Sequence, residues 1–249
     1  MSEEILVTRQ GAVLEIRMNR PAKKNALTKA MYGAMADALG AGDQDANVRA
    51  ILISAEGDMF TAGNDLSDFA AIAQGAPPAG DGPLVNRFLS ALAALEKPLI
   101  AAVTGHGVGV GATMLLHCDI AIIAEDAQLS MPFTSLGLTP EAASSLLLPA
   151  QIGHKRAFMM LALGQPLRAR DAVSLGLVSE SAPREEVRPR AMTAAQACCD
   201  RPPEAMRITK RLLRDKEQIR ARLDIETEYF RDRLRSPEAK AAFEAFFKR

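Results

Sequence analysis

Short apolar segments alternate with amphipathic segments along the first two thirds of the chain. The runs VRAILISAE, KPLIAAVTG and CDIAIIAED are each followed by turn residues, which is typical of buried strands. AVLEIRMN alternates apolar and polar residues as a half-buried strand does. NALTKAMYGAMADALGAGDQD has helical periodicity, with Asn25 and Thr28 as candidate caps and Gly40 and Gly42 as candidate stop signals. Strands separated by helices pair in parallel through crossovers, so the pattern predicts an α/β fold.

Composition limits the classes of protein that this chain can belong to. With 249 residues, 48% apolar and 24% charged, it fits one large domain or a core with an appendage. Thirty basic and thirty acidic residues give no bias towards nucleic acid or membrane, and we expect neither as a partner. Three cysteines, the acidic start MSEEILVTRQ and the absence of a long apolar run predict a reduced, cytoplasmic protein.

Two changes in composition divide the chain. The segment AQGAPPAGDGP, residues 73–83, is rich in Gly, Pro and Ala and is predicted to be a mobile loop. From about residue 184 the sequence becomes helical and charged. We therefore predict a core domain over residues 1–183 that carries binding and catalysis, and a helical region over residues 184–249 that mediates oligomerisation.

Two glycine-containing turns are the strongest local signals of chemistry. HGVGVGATMLLHCD, residues 106–119, spaces three glycines at alternate positions and then becomes helical. In GDMFTAGNDLSDF, residues 57–69, a Gly-Asn break precedes a second helical run. Glycine allows close backbone approach, and a helix N-terminus offers unpaired N–H groups. Because each turn follows a predicted strand, the two together could stabilise a developing oxyanion.

A dinucleotide-binding motif is the competing interpretation of the turn in residues 106–119, which is the second of the two glycine turns in chain order. Gly107, Gly109, Gly111 and Ala112 fit G-x-G-x-x-A, with an acidic residue suitably downstream. The helix that follows is short for a Rossmann crossover and the motif lies in the middle of the chain. The motif also leaves the Gly63-Asn64 turn without a role, so this interpretation is the weaker one.

Five segments in order resemble the crotonase superfamily, the enoyl-CoA hydratase/isomerase family. They are MNRPAKKNALT, FTAGNDLSDF, KPLIAAVTGHGVGVGATMLLHCDIAIIAEDAQLSMPF, PFTSLGLTPEAASSLLLP and LRARDAVSLGLVSE. The resemblance implies a spiral of ββα turns that forms two roughly perpendicular sheets, with C-terminal helices that mediate a homotrimer or a dimer of trimers. It also implies an acyl-CoA thioester substrate, so that coenzyme A belongs to the substrate and no separate cofactor is expected.

The resemblance also assigns site residues. The thioester oxygen would lie between the backbone N–H groups of Asn64 and Val110. Lys24 and Ala26 would lie near the nucleotide end of CoA, whereas Phe133 and Leu138 would line the acyl pocket. The remaining predicted contacts with the substrate or with CoA are Ala62, Gly63, Asp65, Leu66, Val108, Gly111 and Thr134.

The carboxylates distinguish between the reactions of this family. The two glutamates of the standard hydratase align with Thr113 and Phe133, neither of which can relay a proton as a carboxylate does. Glu141 lies in an apolar segment that resembles the P-E-G-x-S-S stretch of peroxisomal-type Δ3,Δ2-enoyl-CoA isomerases, although Ala142 replaces the glycine. Burial should raise the pKa of Glu141. We therefore predict an isomerase that moves a 3-enoyl double bond to the 2 position with Glu141 as the proton shuttle.

Several alternatives remain open at this stage. Thr139, Pro140 and Glu141 also form a plausible helix N-terminus. Glu141 could instead position water in a hydratase or another acyl-CoA lyase. A dinucleotide-dependent oxidoreductase and a non-catalytic CoA-binding scaffold are alternatives from different classes of protein.

The histidines and the metal question are separate. His117 is expected in the core and His154 at the surface, while His106 borders the second glycine turn. No metal-ligand spacing is present in the sequence, and no metal is expected.

Overall fold

The computed structural model describes residues 3–65 and 82–247. The predicted contact Leu66, the helical run after Asp65 and most of the predicted 73–83 loop lie outside these residues. The described strands are β1 Ile5–Gln10, β2 Val13–Met18, β3 Ala50–Ala55, β4 Met59–Thr61, β5 Leu99–Val103, β6 His106–Val108, β7 Ile120–Ala124, β8 Gln128–Ser130, β9 Leu167–Arg168 and β10 Glu180–Ala182.

Ten α-helices lie within the described residues. They are α1 Lys29–Gln44, α2 Gly82–Ala94, α3 Val110–Thr113, α4 Ser144–Ile152, α5 His154–Leu161, α6 Ala169–Ser174, α7 Arg184–Cys199, α8 Pro203–Leu213, α9 Lys216–Leu234 and α10 Pro237–Phe247. Short 3-10 turns cover Pro21–Lys23, Met114–His117 and Thr134–Leu136. No helix of the described part is long and apolar enough to cross a membrane.

The larger sheet has six strands in the order β1-β2-β3-β5-β7-β10. The β1–β2 pair is antiparallel and every later pair is parallel. Every residue of β3 and β5 is buried, as expected for central parallel strands that are covered on both faces. Both strands lie within the apolar runs VRAILISAE and KPLIAAVTG, from which they were predicted.

The second sheet has four strands in the order β4-β6-β8-β9. Because β3, β5 and β7 belong to the larger sheet while β4, β6 and β8 belong to the smaller one, the chain passes from one sheet to the other at each successive turn. This repeated passage gives the spiral of ββα units that was predicted. It also brings the segments that follow β4 and β6 to the same edge of the smaller sheet.

Helix α1 begins where the sequence predicted and ends later. The Thr28 side chain accepts a hydrogen bond from the Met31 amide at 3.3 Å, which confirms it as the N-cap. The prediction that Gly40 and Gly42 end the helix is wrong, because α1 continues to Gln44. A β-carbon at Gly42 would lie 2.6 Å from a methyl group of Leu14, so this glycine allows the helix to pass closely over β2.

The C-terminal helices contact the core in different places. Helix α7 packs against β3, β5 and β7, whereas α9 packs against α2 and α4. Helix α10 packs against the Thr134–Leu136 turn. There a β-carbon at Gly137 would lie 2.7 Å from the Ala239 amide nitrogen. The helical region predicted for residues 184–249 therefore lies directly against the segments that carry predicted site residues.

Candidate active site

The two glycine turns follow neighbouring strands. β4 and β6 are parallel, with Met59 opposite His106 and Thr61 opposite Gly107. The carboxyl ends of parallel neighbours lie at the same edge, so the chain leaves β4 towards Gly63 and leaves β6 towards Gly109 side by side. A β-carbon at Gly63 would lie 2.8 Å from the Val108 carbonyl oxygen, which shows how closely the two turns approach each other.

The backbone amides of Asn64 and Val110 are oriented by the turns around them. Leu27 pairs with Asn64 in an isolated parallel bridge, in which the Leu27 amide donates to Gly63 and the Asp65 amide donates to Leu27. In this pattern the N–H of Asn64 points away from Leu27. Val110 is the first residue of α3, where an amide has no partner within its own helix. Neither N–H group is therefore used by the bridge or the helix to which its residue belongs.

Gly109 gives the second turn its shape. Its backbone adopts φ 56° and ψ −118°, a conformation in which a β-carbon is strongly disfavoured. Its carbonyl accepts from the amides of Ala112 and Thr113, both at 2.9 Å, which fixes the start of α3. The glycine spacing that resembled a dinucleotide motif therefore forms a sharp turn into a four-residue helix.

The predicted CoA contacts before α1 lie beside the first turn. The Ala62 amide donates to the Lys24 carbonyl at 2.9 Å, and Lys24 is exposed in a left-handed conformation with φ 52°. Arg20 donates to the Ala26 carbonyl at 2.9 Å and to the Asp65 carboxylate at 2.8 Å. The structure therefore brings Lys24, Ala26, Ala62, Gly63 and Asp65 together.

Asn25 holds this arrangement and was not predicted to do so. Its buried side chain accepts from the Arg20 amide and donates to the carbonyls of Glu56 and Met59, each at 2.8 Å. Its own carbonyl accepts from the Thr61 hydroxyl at 2.7 Å. The sequence pattern offered Asn25 as a helix cap, whereas its side chain joins the turn before α1 to the start of β4 and its carbonyl contacts the end of that strand.

Glu141 lies next to the second glycine turn and is buried. Its side chain is 6% exposed, and its Oε1 accepts from the Thr113 hydroxyl at 3.1 Å. Thr113 ends the four-residue helix that Val110 begins, so the residue that binds the carboxyl group lies about one helical turn from Val110. Burial, with a smaller effect from the negative charge of Glu226, raises the pKa of Glu141 to about 7, although the Thr113 hydrogen bond opposes that change.

Two further groups near Glu141 were not found in the sequence. The hydroxyl of buried Tyr32 donates to the side-chain oxygen of Asn64, and burial, together with the Glu141 charge, raises the pKa of Tyr32. Glu226, on α9, accepts a hydrogen bond from the Ser145 amide at the start of α4. Both contacts join residues that are far apart in sequence, and local patterns do not report such contacts.

The segment before Glu141 contains the predicted acyl-pocket residues. Phe133 and Leu138 are both buried, and the Leu138 amide donates to the Phe133 carbonyl at 2.9 Å across a 3-10 turn. Thr134 is exposed, and its hydroxyl donates to the Ala162 carbonyl at 2.8 Å. The predicted contacts Val108 and Gly111 flank the second glycine turn, where Gly111 packs closely on Thr61.

The alternative role of Glu141 in a helix N-terminus is wrong. Helix α4 begins at Ser144, three residues after Glu141, and its N-cap position is Ala143. Ala142 and Ala143 adopt left-handed conformations with φ 60° and 55°, which separate Glu141 from the helix. Left-handed residues end regular helical geometry, so the acid belongs to a turn rather than to the first helical turn.

The three histidines lie in separate environments. His117 is fully buried, and its ring contacts the Ala142 carbonyl and the Arg214 guanidinium, as expected of a core group. His154 is exposed on α5, as predicted. His106 is exposed, and its Nδ1 accepts from the Gln128 amide at 2.9 Å. Within residues 3–65 and 82–247, no group of three or more His, Cys, Asp or Glu side chains is arranged to hold a metal ion.

Comparison with known proteins identifies the family. The family model described as enoyl-CoA hydratase/isomerase matches residues 8–249. The chain belongs to the enoyl-CoA hydratase/isomerase family. Its resemblance to this family and its predicted crotonase fold are therefore both confirmed.

Individual members of the enoyl-CoA hydratase/isomerase family resemble the whole chain. Rat (Rattus norvegicus) enoyl-CoA delta isomerase 2 is 36% identical over the full chain, which spans 64% of that protein's length. The 1,2-epoxyphenylacetyl-CoA isomerase of Escherichia coli is 32% identical over 99% of this chain and 96% of its own. The structure of Pseudomonas aeruginosa OdaA superposes with a TM-score of 0.94 at 43% identity, covering 100% of both chains.

Proposed function

We propose that this chain isomerises 3-enoyl-CoA thioesters to their 2-enoyl forms, with Glu141 as the group that moves the proton. The observation that carries this proposal is the position of Glu141, buried against Thr113 on the helix that begins with Val110. The two positions that align with the hydratase glutamates hold Thr113 and Phe133 instead. A double-bond shift requires one base, whereas the standard hydration requires two carboxylates.

In the proposed reaction the carboxylate of Glu141 removes a proton from C2 of the acyl chain. The electron pair of that C–H bond enters a dienolate whose negative charge rests on the thioester oxygen. The amides of Asn64 and Val110 donate to that oxygen, and one donor of this kind contributes about 2.7–4 kcal/mol in related reactions. The protonated Glu141 then returns the proton at C4, which leaves the double bond between C2 and C3.

The pKa of Glu141 suits a group that both accepts and donates a proton. An ordinary glutamate is a weak base at neutral pH, whereas one whose pKa is raised to about 7 exchanges protons near the pH at which it works. The reaction moves only a proton, so it requires no cofactor beyond the CoA that the substrate carries. The name of the rat relative, an enoyl-CoA delta isomerase, supports this proposal.

The proposal assigns the remaining site residues to substrate binding. Lys24 and Ala26 contact the nucleotide end of CoA. Ala62, Gly63 and Asp65 follow the adenine and the pantetheine. Phe133 and Leu138 line the acyl pocket. The clustering of the first five residues around the turn that precedes α1 supports a single binding groove. Leu66, Val108, Gly111 and Thr134 are the remaining proposed contacts with the substrate or with CoA.

The proposal includes a homotrimer, or a dimer of trimers, assembled through the C-terminal helices. On α8, Leu212 and Leu213 are 81% and 80% exposed in the single chain, and Ile208 is also exposed. Ile225 and Tyr229 on α9 are exposed as well. Large exposed apolar side chains concentrated on two neighbouring helices of the sequence are typical of a protein contact, which supports burial of these helices between copies of the chain.

The function is tested by offering the purified protein matched 3-enoyl-CoA and 2-enoyl-CoA substrates of one chain length. An isomerase converts 3-hexenoyl-CoA to the conjugated 2-hexenoyl-CoA. The conversion raises the ultraviolet absorbance, and mass spectrometry should show that the product has the same mass as the substrate. Hydration of 2-hexenoyl-CoA at a higher rate, with a gain of 18 mass units expected for water, would favour a hydratase and contradict the proposal. CoA-ester binding without turnover of either substrate would favour a scaffold.

A further inference from the structure

The turn that carries Glu141 is held in an unfavourable backbone conformation. Ala142 and Ala143 are consecutive left-handed residues, with φ 60° and 55°. Each costs roughly 1–2 kcal/mol relative to a right-handed conformation when the residue has a β-carbon. Such a turn persists only where surrounding contacts determine it. Its direction fixes where the side chain of Glu141 points, so the contacts that hold the turn also position the carboxyl group.

One of these contacts comes from Glu226, which is 81 residues away from its partner in sequence. Glu226 lies on α9 and is 5% exposed. Its Oε1 accepts from the Ser145 amide at 2.8 Å, at the start of α4. The N-cap residue of α4 is Ala143, which has no side-chain acceptor. Glu226 therefore supplies from another helix the acceptor that a capping residue normally provides, and its negative charge is favoured at that helix N-terminus.

The other side of the turn is held by a buried histidine. The ring of His117 contacts the Ala142 carbonyl through Nε2 at 2.8 Å and the Arg214 guanidinium through Nδ1 at 3.0 Å. Burial lowers the pKa of His117 to about 3, so the ring is neutral. With Arg214 donating to Nδ1, the proton of the neutral ring lies on Nε2 and is donated to Ala142. Glu226 and His117 thus hold the turn at its two ends.

We propose that Glu226 is a positioning residue for the reaction: its bond to the Ser145 amide holds the Ala142–Ala143 turn so that the Glu141 carboxyl stays against Thr113. This inference rests on the proposed role of Glu141. It gives α9, which lies in the predicted oligomerisation region, a direct part in arranging the active site.

The charge of Glu226 gives the proposal a second, electrostatic readout. Thr113 on α3 and Glu226 on α9 act on Glu141, and the charge of Glu141 in turn raises the pKa of Tyr32 on α1. Burial raises the pKa of Glu226 itself, which its hydrogen bonds to Ser145 and the positive charge of Arg222 oppose. The negative charge of Glu226 raises the pKa of Glu141. Removing that charge should therefore make Glu141 ionise at lower pH, which a purely structural role of Glu226 would not do.

The experiment compares Glu226→Ala, Glu226→Gln and a control, Glu228→Ala, which removes an exposed glutamate from the same helix. Glu226→Ala removes the acceptor and should lower kcat about tenfold to a hundredfold, with a smaller change in KM, since small misplacements of a catalytic group have effects of this size. Glu226→Gln keeps an acceptor and should retain more of the kcat. Its ratio of rates at pH 6 and pH 8 should rise about twofold or more above wild type. Glu228→Ala should match wild type in all three quantities.

A second measurement separates failure of this inference from failure of the proposed function. In substrate-free protein labelled with carboxyl-13C glutamate, the Glu141 signal is identified by its loss in Glu141→Gln and is titrated in each variant. A lower pKa of Glu141 in Glu226→Gln supports the inference even if no enoyl-CoA substrate is turned over. Wild-type kcat in folded Glu226→Ala, or an unchanged titration of Glu141 in Glu226→Gln, would overturn it and leave the proposed function standing.

Discussion

Glu141 is an acid in surroundings that disfavour its charge, and this has a consequence for stability. Its pKa is about 7 in the folded protein against an ordinary value of 4.5. The folded state therefore binds this proton more tightly than the unfolded chain does. The stability that results is fully present below pH 4.5 and is lost as the pH rises through 7. The loss amounts to about 3 kcal/mol.

Glu141→Gln should therefore change stability in a pH-dependent way. At pH 4 the variant and the wild type should have similar free energies of unfolding. At pH 8 the variant should be more stable by about 3 kcal/mol, because glutamine has no charge to bury. Urea denaturation at both pH values measures this, with Glu125→Gln as an exposed control. Equal destabilisation of Glu141→Gln at both pH values would show that the burial of a charge is not what sets this pKa.

Adding one methyl group at Gly63 tests whether activity depends on the close approach of the two glycine turns. Gly63→Ala adds a β-carbon at φ 88° and 2.8 Å from the Val108 oxygen, so it should separate the turns. We expect kcat/KM to fall about 10²–10³-fold, as when one oxyanion donor is lost. Gly11→Ala is the matched control, since Gly11 has φ 61° but no atom within 4 Å of the added carbon. Equal losses of activity in the two variants would contradict the proposed oxyanion site.

At the scale of elements, we predict that the left-handed turn before α4 is strained. Ala142 has the position at which the resembling isomerase segment has glycine, and its φ of 60° explains why glycine suits that position. Ala142→Gly should stabilise the protein by about 1 kcal/mol, the left-handed penalty less the extra entropy of glycine in the unfolded chain. Thermal unfolding should shift upwards by about 2–4 °C for a chain of this size. A decrease in stability would show that the turn is not strained.

The elements also show what a sequence pattern can and cannot predict. The strands β3, β5 and β7 were predicted because continuous apolar runs leave few alternatives for a buried segment. The end of α1 was not predicted, because the glycine at position 42 accommodates the close approach of Leu14 and does not stop the helix. The start of α4 was also missed, since its cap comes from Glu226 on another helix.

The same distinction holds for the candidate site. Local signals indicated the two glycine turns and an acid in an apolar segment, and the family resemblance assigned Asn64, Val110 and Glu141 to them. The contributions of Tyr32, Asn25 and Glu226 arise from contacts between distant segments, and only the folded chain brings them together. The roles assigned to the site residues and the boundary at residues 183 and 184 stay predictions. Helix α7, which begins at Arg184, nevertheless packs on the larger sheet.

At the scale of the whole molecule, the C-terminal helices carry both the proposed assembly surface and a contact with the candidate site. The double variant Leu212→Glu, Leu213→Glu places two charges on the most exposed apolar part of α8 and should disrupt the proposed trimer. Light scattering after size-exclusion chromatography should show a trimer or hexamer for wild type and smaller species for the variant. Gln10→Glu, an exposed change on β1, should leave the assembly intact. A monomeric wild type would contradict the proposed assembly.

The most direct test of the account is the rate at which Glu141→Gln converts 3-hexenoyl-CoA to 2-hexenoyl-CoA, compared with wild type and with Glu125→Gln. Glutamine keeps the size of the side chain but cannot take a proton from C2. We expect kcat to fall about 10²–10⁴-fold while binding of the CoA ester is retained. A Glu141→Gln protein that isomerises the substrate at close to the wild-type rate would remove Glu141 from the mechanism.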